Sequence, residues 1–204
     1  MGGFGGALKQ LSIGFASQKG KTVIHTAGQY TDWSYAMRDA ANQEDFTASM
    51  ADAASTIVDY FPKGQIGYIS VLANISTSCD CAGASAPAPR IKDIGILAST
   101  DPVAIDKAGL DLIRSNVDEG TNAFLSQVTN LKGENTVTIA ERIGIGSQDY
   151  NLITVEGNSA ENNNNNGNND GDDDDDDDDD IPNFSGCKIM KLSSALIALM
   201  ILIL

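Results

Sequence analysis

The sequence predicts an α/β fold: a small mixed or parallel sheet with flanking helices, an incomplete domain, followed by a disordered linker and a hydrophobic C-terminal tail. Three observations predict it. Residues 44–61 carry apolar side chains at helical spacing. Two short runs, Ile66–Ala73 and Asp93–Ala98, are rich in the branched and aromatic residues that fill strands. After residue 157 the composition changes abruptly to Asn and Asp, and then to Leu and Ile. These shifts divide the chain into a domain at 1–157, a linker at 158–184 and an apolar segment at 185–204.

The first long helix places Phe46, Met50, Ala53, Ala54, Ile57, Val58 and Phe61 on one face. Asn42 with Asp45 supplies its start, and Pro62-Lys63-Gly64 stops it. The strand Ile66–Ala73 follows and runs into Asn74-Ile75-Ser76-Thr77-Ser78-Cys79-Asp80-Cys81. A loop with Pro87 and Pro89 leads to Asp93–Ala98, a nearly continuous apolar run of the kind a buried parallel strand shows. Asp101 is a good N-cap and Pro102 a good first residue for a helix continuing through Ile105, Leu110, Leu112 and Ile113. A further helix is expected over Thr138–Ile143 and a last strand over Leu152–Val155. In α/β folds ligands gather at the carboxyl ends of strands. Cys79–Cys81 and Ser99–Asp101 are both expected there.

Charge is unevenly spread. The whole chain carries a net charge of −15, and most of it falls in the linker rather than the domain. No part of the domain has a basic stripe, which argues against a nucleic-acid partner. The opening Met1-Gly-Gly-Phe-Gly-Gly lacks the charged start and apolar core of a signal peptide. With Gly6 where Ser or Thr is required, it is not a myristoylation site either. Residues 2–20 are glycine-rich and flanked by Lys9, Lys19 and Lys21, and a backbone of this kind can approach a phosphate closely. No strand precedes the segment, however, and neither phosphate-loop pattern is complete, so a turn segment is the better reading.

Three cysteines are present, Cys79, Cys81 and Cys187. An odd count with a Cys-x-Cys pair does not form a disulfide framework. Two thiolates one residue apart are better suited to share a metal. Cys79, Cys81 and the single histidine, His25, could assemble a zinc or iron site completed by a carboxylate or water. Asp93 and Asp101 bracket the second strand, and Asp101 is first of all a helix cap. One histidine and no nucleophile elbow leave no Ser–His–Asp constellation.

Several blocks resemble the family called domain of unknown function 362. They are Gly3-Phe4-Gly5-Gly6-Ala7-Leu8-Lys9, Ser17-Gln18-Lys19-Gly20-Lys21 with His25, Cys79-Asp80-Cys81, and Asp93-Ile94-Gly95-Ile96-Leu97-Ala98-Ser99-Thr100-Asp101-Pro102-Val103-Ala104-Ile105-Asp106. The resemblance covers about residues 3–155. It implies an iron–sulfur-centre-like protein, although the ferredoxin-like cysteine clusters of longer members are missing, since residues 26–44 contain no cysteine. It also implies a preceding half that this chain does not contain, hence an internal start or a truncated copy.

The Asn run 162–166 and the Asp run 172–180 cannot bury apolar area and read as an extended spacer. Contiguous aspartates lack the turn geometry of a calcium loop. The tail Leu192–Leu204 is uncharged and ends the chain. Thirteen residues fall short of the ~20 needed to span a bilayer. Small residues at 185–187, a spacer with Lys188 and Lys191 and a terminal apolar run match a glycolipid (GPI) signal. Attachment is expected at Ser185 or Gly186, which would place the protein at the cell surface. A retained tail anchor in an intracellular membrane is the alternative. Asn74-Ile75-Ser76 and Asn183-Phe184-Ser185 are glycosylation-type sequons, with Asn74 the expected acceptor. The sequence therefore points to a membrane-attached protein with a metal- or iron–sulfur-associated redox domain, or else to a surface-displayed interaction protein without metal.

Overall fold

A computed structural model describes residues 2–36, 38–77, 87–156 and, as backbone, 187–191. The chain opens with a short helix, α1 (Ala7–Lys9), that continues as a π-helical turn, Gln10–Gly14. Next come α2 (Gln18–His25), a 3₁₀ turn (Trp33–Tyr35) and α3 (Gln43–Tyr60). Strands β1 (Tyr68–Leu72) and β2 (Gly95–Ser99) precede three helices, α4 (Pro102–Ser115), α5 (Thr121–Asn130) and α6 (Gly133–Arg142). Strands β3 (Leu152–Glu156) and β4 (Cys187–Lys191) follow.

The predicted α3 forms as its sequence dictates. The Asn42 side chain caps it by accepting from the Asp45 N–H, 3.0 Å away, and Phe46, Met50, Ala51 and Ala54 are buried along one face. Helix α4 also matches, but it is more than amphipathic. Nine of its fourteen residues are buried, so it is covered on nearly all sides. It lies between the sheet and the other helices, and Val103, Ile105, Ala108, Leu110 and Ile113 make it the centre of the main core. Gly109 gives the close approach to the sheet, since a Cβ there would stand 3.6 Å from Leu72 and 3.8 Å from Leu97.

Three helical segments, α1, α2 and α5, do not follow from the expected elements. In α5, Thr, Asn, Ser and Val are weak helix formers, and its Gly120 cap has no side-chain bond. Burial of Thr121, Phe124 and Val128 holds it in place. The α6 helix begins earlier than the predicted Thr138, after Lys132 in a left-handed conformation (φ 50°).

The sheet is mixed, as predicted, with strand order β1-β2-β4-β3. The expectation of a parallel partner for β2 is corrected. β1 and β2 are antiparallel, with Tyr68 opposite Ser99 and Leu72 opposite Gly95, and β2 is antiparallel to β4 as well. The one parallel pair is β3 with β4. β2 is apolar up to Ser99 for a different reason. One of its faces lies on α4, while the other carries Ile96 and Ala98 in the middle of the sheet.

The Asn and Asp runs lie outside the described residues. The segment containing them joins β3 to β4, two neighbouring strands of one sheet. Parallel neighbours require a crossover connection of a dozen residues or more, a length that 157–186 exceeds. Among the described residues no helix is long and apolar enough to cross a membrane.

Candidate functional site

The glycine-rich opening is explained by packing. Gly3 adopts φ +78°, and a Cβ on it would stand 2.4 Å from the Gly133 Cα. That contact is backbone against backbone, where no side chain fits. A Cβ on Gly6 would stand 2.5 Å from an Asp106 carboxylate oxygen. Asp106 points from the centre of α4 at the start of α1. Its two oxygens accept from the Ala7 N–H (2.6 Å) and the Leu8 N–H (3.0 Å). Helix N-termini attract anions because their first N–H groups have no partner in the helix. Here the protein's own carboxyl group fills that place. Burial pushes the Asp106 carboxyl up to about 7, against the opposing pull of the Leu8 and Ala7 N–H groups.

Asp101 is likewise occupied. One carboxylate oxygen accepts from the Val103 and Ala104 N–H groups at 2.8 and 2.9 Å, which caps α4. The other accepts from the Ser147 N–H at 2.9 Å and so ties the α6–β3 loop to the same point. Gly146 fits beneath it, where a Cβ would lie 2.1 Å from the carboxylate. Glu141 holds the next residue, accepting from the Gln148 N–H (2.7 Å) and Nε2 (2.6 Å). Burial pushes the Tyr68 hydroxyl up to about 12, and the Asp101 charge adds to the effect.

Tyr68 and Asp101 thus mark one end of the sheet, and the Cys loop leaves the other. Because β1 and β2 run in opposite directions, their carboxyl ends lie apart, so the chain after β1 leaves the sheet at the end opposite Asp101.

Cys79 and Cys81 lie outside the described residues. The stem from which their loop rises is well defined. Asn74, exposed and left-handed (φ 51°), donates its N–H to Asp93 at 2.9 Å. Ile75 bridges Ile91, which is 4 % exposed and anchors the stem in the main core. The Arg90 N–H donates to the Ile75 carbonyl (3.3 Å), and the Ser76 hydroxyl to the Pro87 carbonyl (2.8 Å). The α4–α5 loop supports the far side, where Asp118 accepts from the Lys92 N–H (2.8 Å) and Gly120 packs on Arg90. Asp93 therefore closes the stem of the Cys loop.

His25 ends α2 at its seam with α3. Its Nδ1 is 2.6 Å from the Lys21 carbonyl oxygen. A carbonyl can only accept, so Nδ1 carries a hydrogen and is engaged within α2. The ring packs on Phe46, centroids 5.1 Å apart. The fold thus brings His25 to the small cluster of Ile24, Phe46 and Met50. Among the described residues no group of three His, Cys, Asp or Glu side chains is placed to hold a metal ion. Ser185 and Gly186 lie outside the described residues, and Cys187 begins β4.

The residues that sequence reasoning missed are Asp106 and Asp118. Asp106 had a legible signal, a carboxylate set among Ile105, Ala108 and Gly109 on what becomes a buried stripe. Asp118 had none.

The architecture is a helical layer on one face of a small mixed sheet, with a clamped loop at one end. The chain belongs to the family described as Domain of unknown function (DUF362), whose model matches residues 1–111. The match takes in the glycine-rich opening, the Cys-x-Cys loop and the Asp101–Asp106 block. It ends within α4, so α5, α6 and β3 lie beyond it and the extent is shorter than the residue 155 expected from resemblance. No curated protein and no solved structure matches the chain.

Proposed function

We propose that this DUF362-family chain binds a soft metal, zinc or iron, through the Cys79 and Cys81 thiolates. The supporting observation is the stem. Three backbone-directed bonds and a buried Ile91 hold the two ends of the loop together. Holding the ends of a ligand loop in place lowers the ordering cost of binding. The remaining ligands would come from within the loop or from solvent. His25 could contribute only through Nε2, and its packing on Phe46 favours a structural role. Metal analysis of the anaerobically purified full chain is expected to give near-stoichiometric zinc or iron. The Cys79→Ser, Cys81→Ser double variant is expected to lose it while still folding. Wild-type protein that folds without metal overturns the proposal.

A reading without metal is favoured by one observation. Three aspartates of the family blocks, Asp93, Asp101 and Asp106, are all engaged by backbone N–H groups. A carboxylate so engaged serves the fold, which would suit an interaction protein.

For the C-terminus, the pairing of β4 with both β2 and β3 supports retention of the tail rather than its removal. Cleavage at Ser185 or Gly186 would take away a strand from within the sheet. Phosphatidylinositol-specific phospholipase applied to intact cells is therefore expected to release no protein, and the mature chain to keep an epitope placed after Leu204. Release into the medium would establish the glycolipid instead.

A further inference from the structure

The edge of the sheet at β1 is unguarded. β1 stands first in the order β1-β2-β4-β3, and among the described residues only β2 pairs with it. Proteins protect such edges with charges, prolines, bulges or a covering segment. Tyr68-Ile69-Ser70-Val71-Leu72 contains no charge and no proline. It pairs with β2 in unbroken register from Tyr68 to Leu72, so no bulge interrupts it. Tyr68 and Leu72 belong to the core, while Ile69 is 64 % and Val71 61 % exposed.

The turn that follows carries a site for a group that can cover this edge. Asn74 leaves β1 in a left-handed conformation (φ 51°), which Asn tolerates better than most side chains. Its N–H donates to Asp93 at 2.9 Å, so the turn is held in place. Asn74 is exposed, and its side-chain amide has no hydrogen-bond partner among the described residues. Ile75 follows in its bridge to Ile91, and then Ser76, whose hydroxyl donates to the Pro87 carbonyl. Asn-x-Ser is the acceptor pattern for an N-linked glycan, a bulky and solubilising group that requires a place on the surface. Of the two such patterns in the chain, the one at Asn183 lies outside the described residues.

We propose that Asn74 carries an N-linked oligosaccharide that shields the edge strand β1. Transfer joins the Asn74 Nδ2 to the anomeric carbon of a lipid-pyrophosphate-linked oligosaccharide. The C–O bond to the pyrophosphate breaks as the C–N bond forms. The lipid pyrophosphate is the leaving group, and Nδ2 gives up one proton. The Ser76 hydroxyl serves this transfer before it closes on Pro87. Val71 precedes Asn74 by three residues, at most ~11 Å along the chain, so a branched hydrophilic group on Asn74 reaches over Val71 and Ile69. The proposal places the domain in the secretory pathway and is independent of the metal reading.

The test uses the full-length protein isolated from its own cells. Trypsin releases the peptide 64–90, which mass spectrometry reads before and after treatment with a peptide-N-glycosidase. The expected result is a glycan-bearing peptide that the glycosidase converts to one with aspartate in place of Asn74. A peptide found only with unmodified Asn74 overturns the proposal. Returned to the same cells, Ser76→Ala is expected to lose the glycan and Ser76→Thr to keep it. A glycan that persists in Ser76→Ala overturns the assignment to this acceptor pattern. Shielding is read on the folded protein. Removing the glycan is expected to raise binding of an apolar-surface dye severalfold in the wild type, but not in an Ile69→Ser, Val71→Ser variant. Those two side chains are exposed, so the variant should keep its melting transition. Equal dye binding by the wild type before and after removal overturns the shielding of β1.

Discussion

Replacing Asp106 by alanine is expected to cost about 3–5 kcal/mol, a large part of the ~5–15 kcal/mol by which domains are stable. The substitution leaves the Ala7 and Leu8 N–H groups without their acceptor in a buried place. Each unpaired buried donor costs about 1–3 kcal/mol, and the removed carboxylate leaves a small void as well. Gly6 presses on the same carboxylate, so Gly6→Ala should destabilise by pushing the pair apart even with Asp106 present. Urea unfolding at pH 5 measures both.

The pH dependence follows from the same group. Burial raises the folded carboxyl from 3.8 to about 7. Between those values the folded state holds a proton that the unfolded state has released. The contribution of Asp106 to stability is therefore complete below pH ~4 and is lost as the pH rises through 7. At about 1.4 kcal/mol per unit the fall amounts to at most roughly 4 kcal/mol. An Asp106→Asn variant should lack this slope whatever its absolute stability. A variant with the wild-type slope would show that another group titrates.

The second large effect is expected at Asp101. Asp101→Ala should cost about 2–4 kcal/mol, combining the loss of an N-cap with the loss of an acceptor for the Ser147 N–H. Asp101→Asn separates the two roles. Its amide oxygen can still cap Val103 and Ala104, but its NH₂ would face the Ser147 N–H, donor against donor. Asn should thus recover the helix and not the loop. Hydrogen exchange at residues 144–148 is expected to rise strongly in Asp101→Asn while α4 stays protected. Equal loosening of α4 in Asn and Ala would contradict the two-sided role.

Local chemistry alone determined much of this protein. The Asn42 cap, the apolar stripe of α3 and the Asp101-Pro102 start of α4 are interactions within a few residues, so each is visible in a short window of sequence. The family could be read in the same way, because its blocks are contiguous runs that end at Asp106. Direction and partnership could not. A strand looks the same whether its neighbour is parallel or antiparallel, and the reversal of β1 against β2 is what separates the carboxyl end of β1 from Asp101. Helix α5 could not be read because most of its residues are weak helix formers and the burial of Thr121, Phe124 and Val128 holds it in place. The purposes of Gly3, Gly6 and Asp106 were also decided in three dimensions. Asp106 is ninety-eight positions from Leu8 in the chain, yet it satisfies that residue's N–H at 3.0 Å. The glycine-rich opening, read from sequence as a turn segment, packs by its backbone on the carboxyl group of Asp106.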